Sequence, residues 1–287
     1  MSSMLAITGF QTALVTAIAM GAACALLSVF VVLRRWAFIG EGIAHAGFGG
    51  AGTAWILSLL FPSAAVLSTQ QGVFAVAVVF CIITAMGIAY VTRREAVRTD
   101  TAIGIFLVAA LAWGFIAYGL YTHLRASATP PGWEEYLLGH MSALSVPYMI
   151  SALGICAAVA LVVLGLGKEI TAYSFDPTLA AVSGVRVGFV HYLLIVLLAV
   201  TILAGMRLMG SLLVTALLVL PGATAMLLSR RIGIVMSAAV AVGLIGAVGG
   251  TIVTTRWPFI PEGPAIVTAL VAQFVCVYAW RGIRHDA

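Results

Sequence analysis

Arg34-Arg35-Trp36-Ala37-Phe38-Ile39-Gly40-Glu41-Gly42-Ile43-Ala44-His45-Ala46-Gly47 is the stretch on which the reading of the fold turns. Two arginines end one long apolar run, and a second run begins at once with a glutamate and a histidine inside it. Glu41 and His45 are four residues apart. On a helix that spacing puts both on one face, one turn above the other. A carboxylate and an imidazole so placed can hold a cation between them. Inside a membrane they are costly unless they face the bundle interior or a wet cavity.

Composition decides the setting. The chain has 287 residues, of which 63% are hydrophobic and 8% charged, and its mean hydropathy is +1.18. Soluble domains carry about 25% charged residues, so this chain cannot cover a water-facing surface. The apolar runs are long and continuous, which excludes the short alternating segments of a barrel. The expected class is an all-α, polytopic transmembrane bundle. The net charge of +5 comes from basic residues in short connections. It therefore reads as topology and not as a nucleic-acid surface. Cys24, Cys81, Cys156 and Cys276 each stand alone in an apolar run, without C-x-x-C spacing, and read as small packing residues. Met1-Ser2-Ser3-Met4 has no basic stretch before the first run, which is too long for a signal peptide. A retained first helix is expected.

A helix needs roughly 20 apolar residues to cross the hydrocarbon. Runs of that kind fall near 8–33, 37–61, 71–92, 101–121, 145–167, 188–206, 208–229, 232–253 and 261–280. This predicts nine spans. The boundary at Met206-Arg207-Leu208 leaves room for a short, re-entrant or broken segment, and so for eight crossings. With the N-terminus outside, Arg34, Arg35, Arg93, Arg94, Arg98, Lys168, Arg186, Arg230, Arg231, Arg281 and Arg284 lie inside. Only Arg125, Arg207 and Arg256 lie outside. The positive-inside bias thus expects a cytoplasmic C-terminus. Gly246 with Gly250, and Ala46 with Gly50, are small pairs at helical spacing that read as close packing within the bundle.

Two polar connections stand out. The outer one, 122–144, carries His123, Arg125, Trp133, Glu134, Glu135 and His140, and its end reads as a short amphipathic segment over 133–141. A solvated loop is the plain reading; a metal-attracting mouth is the sharper one. The inner connection, 168–187, contains Asp176-Pro177 and, later, Gly184. Asp is a strong N-cap, Pro suits the first helical position and Gly suits the stop. The pattern predicts a two-turn helix outside the bilayer, shaped to dock a partner.

Counted along a continuous helix at about 1.5 Å per residue, Glu41 lies roughly 9 Å and His45 roughly 15 Å from Arg35. That places His45 near the bilayer midplane. An imidazole and a carboxylate suit zinc, manganese or ferrous iron. Two ligands are too few for a closed structural zinc site and suit an ion that must leave again. The alternative stays open: Glu41 pairs with Arg34 or Arg94, and His45 hydrogen-bonds a neighbouring helix. Asp100 reads as a helix cap, His191 as a packing histidine, and Met206 and Met209 as packing rather than soft copper ligands. Gly167-Lys168-Glu169 lacks the first glycine and the Ser/Thr of a P-loop, and neither H-E-x-x-H nor G-x-S-x-G occurs. Any ATP hydrolysis therefore belongs to another subunit.

Three blocks resemble one family. Arg34 to Ala46 resembles the arginine-then-acid-x-x-x-His-Ala signature in permease subunits of bacterial ABC importers for zinc, manganese and iron. Gly210-Ser-Leu-Leu-Val-Thr-Ala-Leu-Leu-Val-Leu-Pro-Gly-Ala-Thr-Ala225 resembles their G-x-L-L-v-x-a-L-L-v-x-P-x-a-x-A block. Phe175-Asp-Pro-Thr-Leu-Ala-Ala-Val-Ser-Gly184 resembles their F-D-P-x-x-A-x-x-x-G coupling segment. Shorter echoes are Asp100-Thr-Ala-Ile-Gly-Ile105, Tyr136-Leu-Leu-Gly139 and Pro261-Glu-Gly-Pro-Ala-Ile266. Two departures are visible. The acid is often Asp in the family and is Glu41 here, and His140 stands where relatives often carry an acid.

The resemblance implies one permease domain over 1–287, with a cytoplasmic coupling segment at about 168–187, in a bacterial inner membrane. It implies a second copy of the chain, an ATP-binding ABC subunit dimer and an extracytoplasmic metal-binding protein as partners. It places Glu41 and His45 on the metal path, and Phe175, Asp176, Pro177, Ala180 and Gly184 in the knob that enters the ATPase. Zinc, manganese or iron would be cargo, with no permanently bound cofactor. The rival reading is a proton- or ion-coupled secondary carrier with Glu41 and His45 as a relay. A further rival, an intramembrane enzyme, lacks a recognisable nucleophile or closed metal site.

Overall fold

A computed structural model describes residues 2–61, 66, 69–93, 97–125, 146–257 and 259–285. Among these, twelve helices occur: α1 (Ser2–Leu33), α2 (Ile39–Leu60), α3 (Gln70–Arg93), α4 (Thr99–Leu124), α5 (Val146–Gly165), α6 (Gly167–Phe175), α7 (Pro177–Val182), α8 (Val187–Met209), α9 (Ser211–Leu217), α10 (Leu220–Leu228), α11 (Ile232–Arg256) and α12 (Glu262–His285). Eight described stretches are long and apolar enough to cross a membrane. The pair α5–α6, bent by 73°, makes a ninth when taken as one span. The chain is a multi-pass helical membrane protein. The outer-connection residues Glu134, Glu135 and His140, and the segment 133–141, lie outside the described residues.

Two centres organise the bundle. α1 is buried along Ala17, Met20, Ala23, Cys24, Leu27, Phe30 and Val31, and it packs chiefly on α5, α10 and α11. α2 is wedged between α3 and α4 and also touches α8. Its glycines make the wedge possible. A Cβ on Gly49 would sit 2.7 Å from the Ala110 carbonyl oxygen of α4, and one on Gly50 would sit 2.6 Å from the Ala77 Cα of α3. Lipid gives no hydrophobic drive to helix association, so close backbone packing of this kind supplies the attraction. Gly250 does the same between α11 and α12, against the backbone of Ile266. Both small-residue pairs therefore serve packing inside this chain.

The single run expected at 208–229 is broken twice. Gly210 adopts φ +85°, a left-handed conformation that suits glycine, and separates α8 from α9. The helix stops again at Leu218 and restarts after Val219 with Pro221 in its first turn. Proline lacks the N–H that would continue the preceding turn. The connection expected at 168–187 is mostly helical, because α6 precedes the short helix α7. Gly165, Gly167 and the polar pair Lys168-Glu169 conceal α6 in the sequence. Its signal was present in the buried face Ile170, Tyr173 and Ser174, spaced three and four apart.

Candidate functional site: the Glu41–His45 pair and the α6–α7 segment

α1 ends in a left-handed turn. Arg35 has φ +57°, the Trp36 amide donates to the Val31 carbonyl, and Trp36 is buried. This is the geometry of a helix C-terminal cap, usually given to glycine, and it costs an L-residue about 1–2 kcal/mol. α2 starts at Ile39 and is not continuous with Arg35. Glu41 therefore stands about 3 Å and His45 about 9 Å along the helix from its first residue. The pair lies nearer one end of α2 than the expected mid-depth.

Neighbouring residues show which face the pair occupies. Gly40 abuts Thr215 of α9, Gly42 abuts Ile103 of α4, and Gly47 abuts Leu203 and Met206 of α8. The pair falls on the remaining face, where the side chains of His45 and Glu41 keep 30% and 38% of their surface accessible. Glu41 Oε2 lies 3.5 Å from His45 Nε2. Arg34 does not reach this acid. Its guanidinium lies 4.4 Å from the Tyr173 ring centroid and 5.5 Å from that of Trp36. Arg94 lies outside the described residues. Among the described residues no group of three or more His, Cys, Asp or Glu side chains converges. One chain thus offers a cation two donors on an open face.

The geometry of that pair suits chelation. A tetrahedral ion with bonds of about 2.1 Å to oxygen and nitrogen holds the two donor atoms about 3.4 Å apart. The 3.5 Å separation observed matches this without a change of backbone.

The α6–α7 segment forms as its local signals require. The Asp176 carboxylate accepts from the amides of Thr178 and Leu179 at 2.8 and 3.0 Å, and Pro177 opens α7. Gly184 closes the turn at φ +85°. Ala180 is buried beneath α7, whereas Phe175, Leu179 and Val182 are exposed. Phe175 at the end of α6 and Leu179 and Val182 on α7 thus make an exposed apolar surface around the α6–α7 junction, of the kind that marks an interaction site.

Other expectations settle in place. Asp100 is not the cap of α4; Arg98 holds that position, with no side-chain cap bond, and Asp100 lies in the first turn. Met206 and Met209 are buried in the apolar core. Cys24, Cys81, Cys156 and Cys276 are free thiols. His123 lies in the last turn of α4. His191 is a buried, fully hydrogen-bonded histidine.

A bundle of apolar helices of spanning length makes this a membrane-embedded protein, with an acid–histidine pair on an open helix face and a capped short helix between two spans. The chain belongs to the ABC 3 transport family, whose profile matches residues 6–281. The manganese transport system membrane protein MntC of Halalkalibacterium halodurans is 31% identical over 285 residues, covering 96% of this chain and 91% of its own. The chelated iron transport system membrane protein YfeD of Yersinia pestis is 32% identical over 274 residues, covering 96% and 86%. The solved structure of PsaBC from Streptococcus pneumoniae in complex with Fab matches with a TM-score of 0.74 at 29% identity, covering 93% of this chain and 90% of that one. The kinship read from the three sequence blocks is therefore met.

Proposed function

We propose that this chain is the translocating subunit of an ATP-driven importer for a divalent transition-metal ion, with manganese and iron ahead of zinc because of the relatives' names. The observation that carries the reading is the Glu41–His45 pair, preset at 3.5 Å on a face that the chain's own helices leave open. Two copies facing each other across a pore would bring four donors together, enough to strip water from an ion and few enough to release it. The arginine-rich helix ends face the cytoplasm of a bacterial inner membrane. There the α7 helix seats in an ATP-binding subunit, and closure of that subunit rocks the spans around the pair. An extracytoplasmic binding protein delivers the ion. ATP hydrolysis takes place in the partner, because this chain carries no P-loop motif.

The test is metal uptake by cells expressing the chain with its transport partners, each metal supplied in limitation. His45→Ala is expected to abolish uptake while the ATP-binding subunit still co-purifies. Wild-type uptake in that variant removes His45 from the path. Uptake that persists without the ATP-binding subunit, yet collapses with the proton gradient, favours the secondary carrier instead.

A further inference from the structure

The buried polar cluster around His191 is not used by the metal pair, and it joins four elements at two side chains. His191 Nε2 lies 3.0 Å from the Ala89 carbonyl of α3, and Nδ1 lies 2.5 Å from the Tyr173 hydroxyl of α6. A carbonyl only accepts, so Nε2 carries a proton. In the neutral ring Nδ1 is then the acceptor, and the Tyr173 hydroxyl donates to it. One directed chain of hydrogen bonds thus runs from α6 through α8 to the backbone of α3. The α1–α2 turn rests on the same two rings: Arg34 lies over Tyr173, and Trp36 meets His191 edge-on at 5.7 Å. Glu41 lies five residues beyond Trp36, in the first turn of α2.

We infer that Tyr173 and His191 form a latch that fixes α6 against α8 and α3, so that displacement of α7 is passed to the α1–α2 turn and the start of α2. Both are positioning residues. The inference rests on the proposed function, since it is the ATP-binding subunit that would move α7. Three features support it. Tyr173 stands three residues before the Asp176 cap, so its ring lies in the last turn of α6, which one residue links to α7. Both side chains are buried, at 2% and 5% exposure, with the Arg34 guanidinium over Tyr173 and Thr92 Oγ1 3.5 Å from His191 Nε2. A hydrogen bond there is directional where apolar packing would allow sliding. The left-handed Arg35 in the turn is a strained connection of the kind found at hinges.

The experiment uses the chain reconstituted in liposomes with its ATP-binding subunit and binding protein, reading manganese uptake and ATP hydrolysis together. Tyr173→Phe removes only the hydroxyl and leaves the ring beneath Arg34. It is expected to lower the metal imported per ATP hydrolysed by about tenfold, the scale of one buried group losing its partner. Co-purification of the ATP-binding subunit should stay unchanged. His191→Gln, which can accept from the tyrosine and donate to the carbonyl, should keep the ratio, whereas His191→Leu should lose it. Tyr173→Phe with His191→Leu should be no worse than either alone. A wild-type ratio in Tyr173→Phe overturns the latch, as does a parallel fall of uptake and hydrolysis, which marks a structural role. A wild-type complex without ATP-driven uptake overturns the proposed function and the latch together.

Discussion

Gly50→Ala tests the wedge that holds the Glu41–His45 pair in place. The added Cβ would stand 2.6 Å from Ala77 Cα, 2.9 Å from Phe80 Cβ and 3.2 Å from the Ala77 carbonyl oxygen. Carbon atoms pack at about 3.5–4.0 Å, so α2 and α3 must part by about 1 Å. The nearest obstacle is backbone, so a change of rotamer cannot relieve it. Overpacking of this kind costs about 1–3 kcal/mol, and the helix-propensity gain of Gly→Ala returns up to about 1 kcal/mol. The net expectation is a destabilisation of about 1–2 kcal/mol. Gly249→Ala is the matched control, because a Cβ there meets nothing within 4 Å. That variant gains the propensity term alone and should be more stable than wild type by up to about 1 kcal/mol. Thermal unfolding of the three purified proteins in one detergent measures the order Gly249→Ala, wild type, Gly50→Ala. Gly50 lies five residues beyond His45 on the same helix, so uptake should fall in Gly50→Ala more than the folded fraction does. A midpoint for Gly50→Ala at or above that of Gly249→Ala would refute the account of α2 as a backbone-close wedge.

Two further outcomes are expected. Asp176→Ala removes the acceptor for two amides of a six-residue helix; at about 1 kcal/mol for a lost cap, amide exchange at Thr178 and Leu179 should quicken about fivefold. Unchanged exchange there would mean that the cap does not hold α7. Arg35→Gly relieves a non-glycine residue at φ +57° and should raise the unfolding midpoint, equivalent to about 1 kcal/mol; a lowered midpoint would show that the arginine side chain outweighs the strain.

Much of this protein was legible in the order of its residues, where the causes are local. Apolar runs of spanning length name helices because a backbone in hydrocarbon must satisfy its own hydrogen bonds. Glu41 and His45 share a face because helical periodicity requires it. Asp176, Pro177 and Gly184 announce the start and stop of α7, since caps act over a few residues. Tertiary packing decided the rest. Whether 208–229 is one helix or two depends on what surrounds Gly210 and Val219. The depth of His45 depends on a turn at Arg35 that no propensity for arginine suggests. The meeting of Tyr173, His191 and Ala89 joins positions 18 and 102 residues apart. Such a contact is selected by the fit of whole helices against one another, and no pattern within a single helix encodes it.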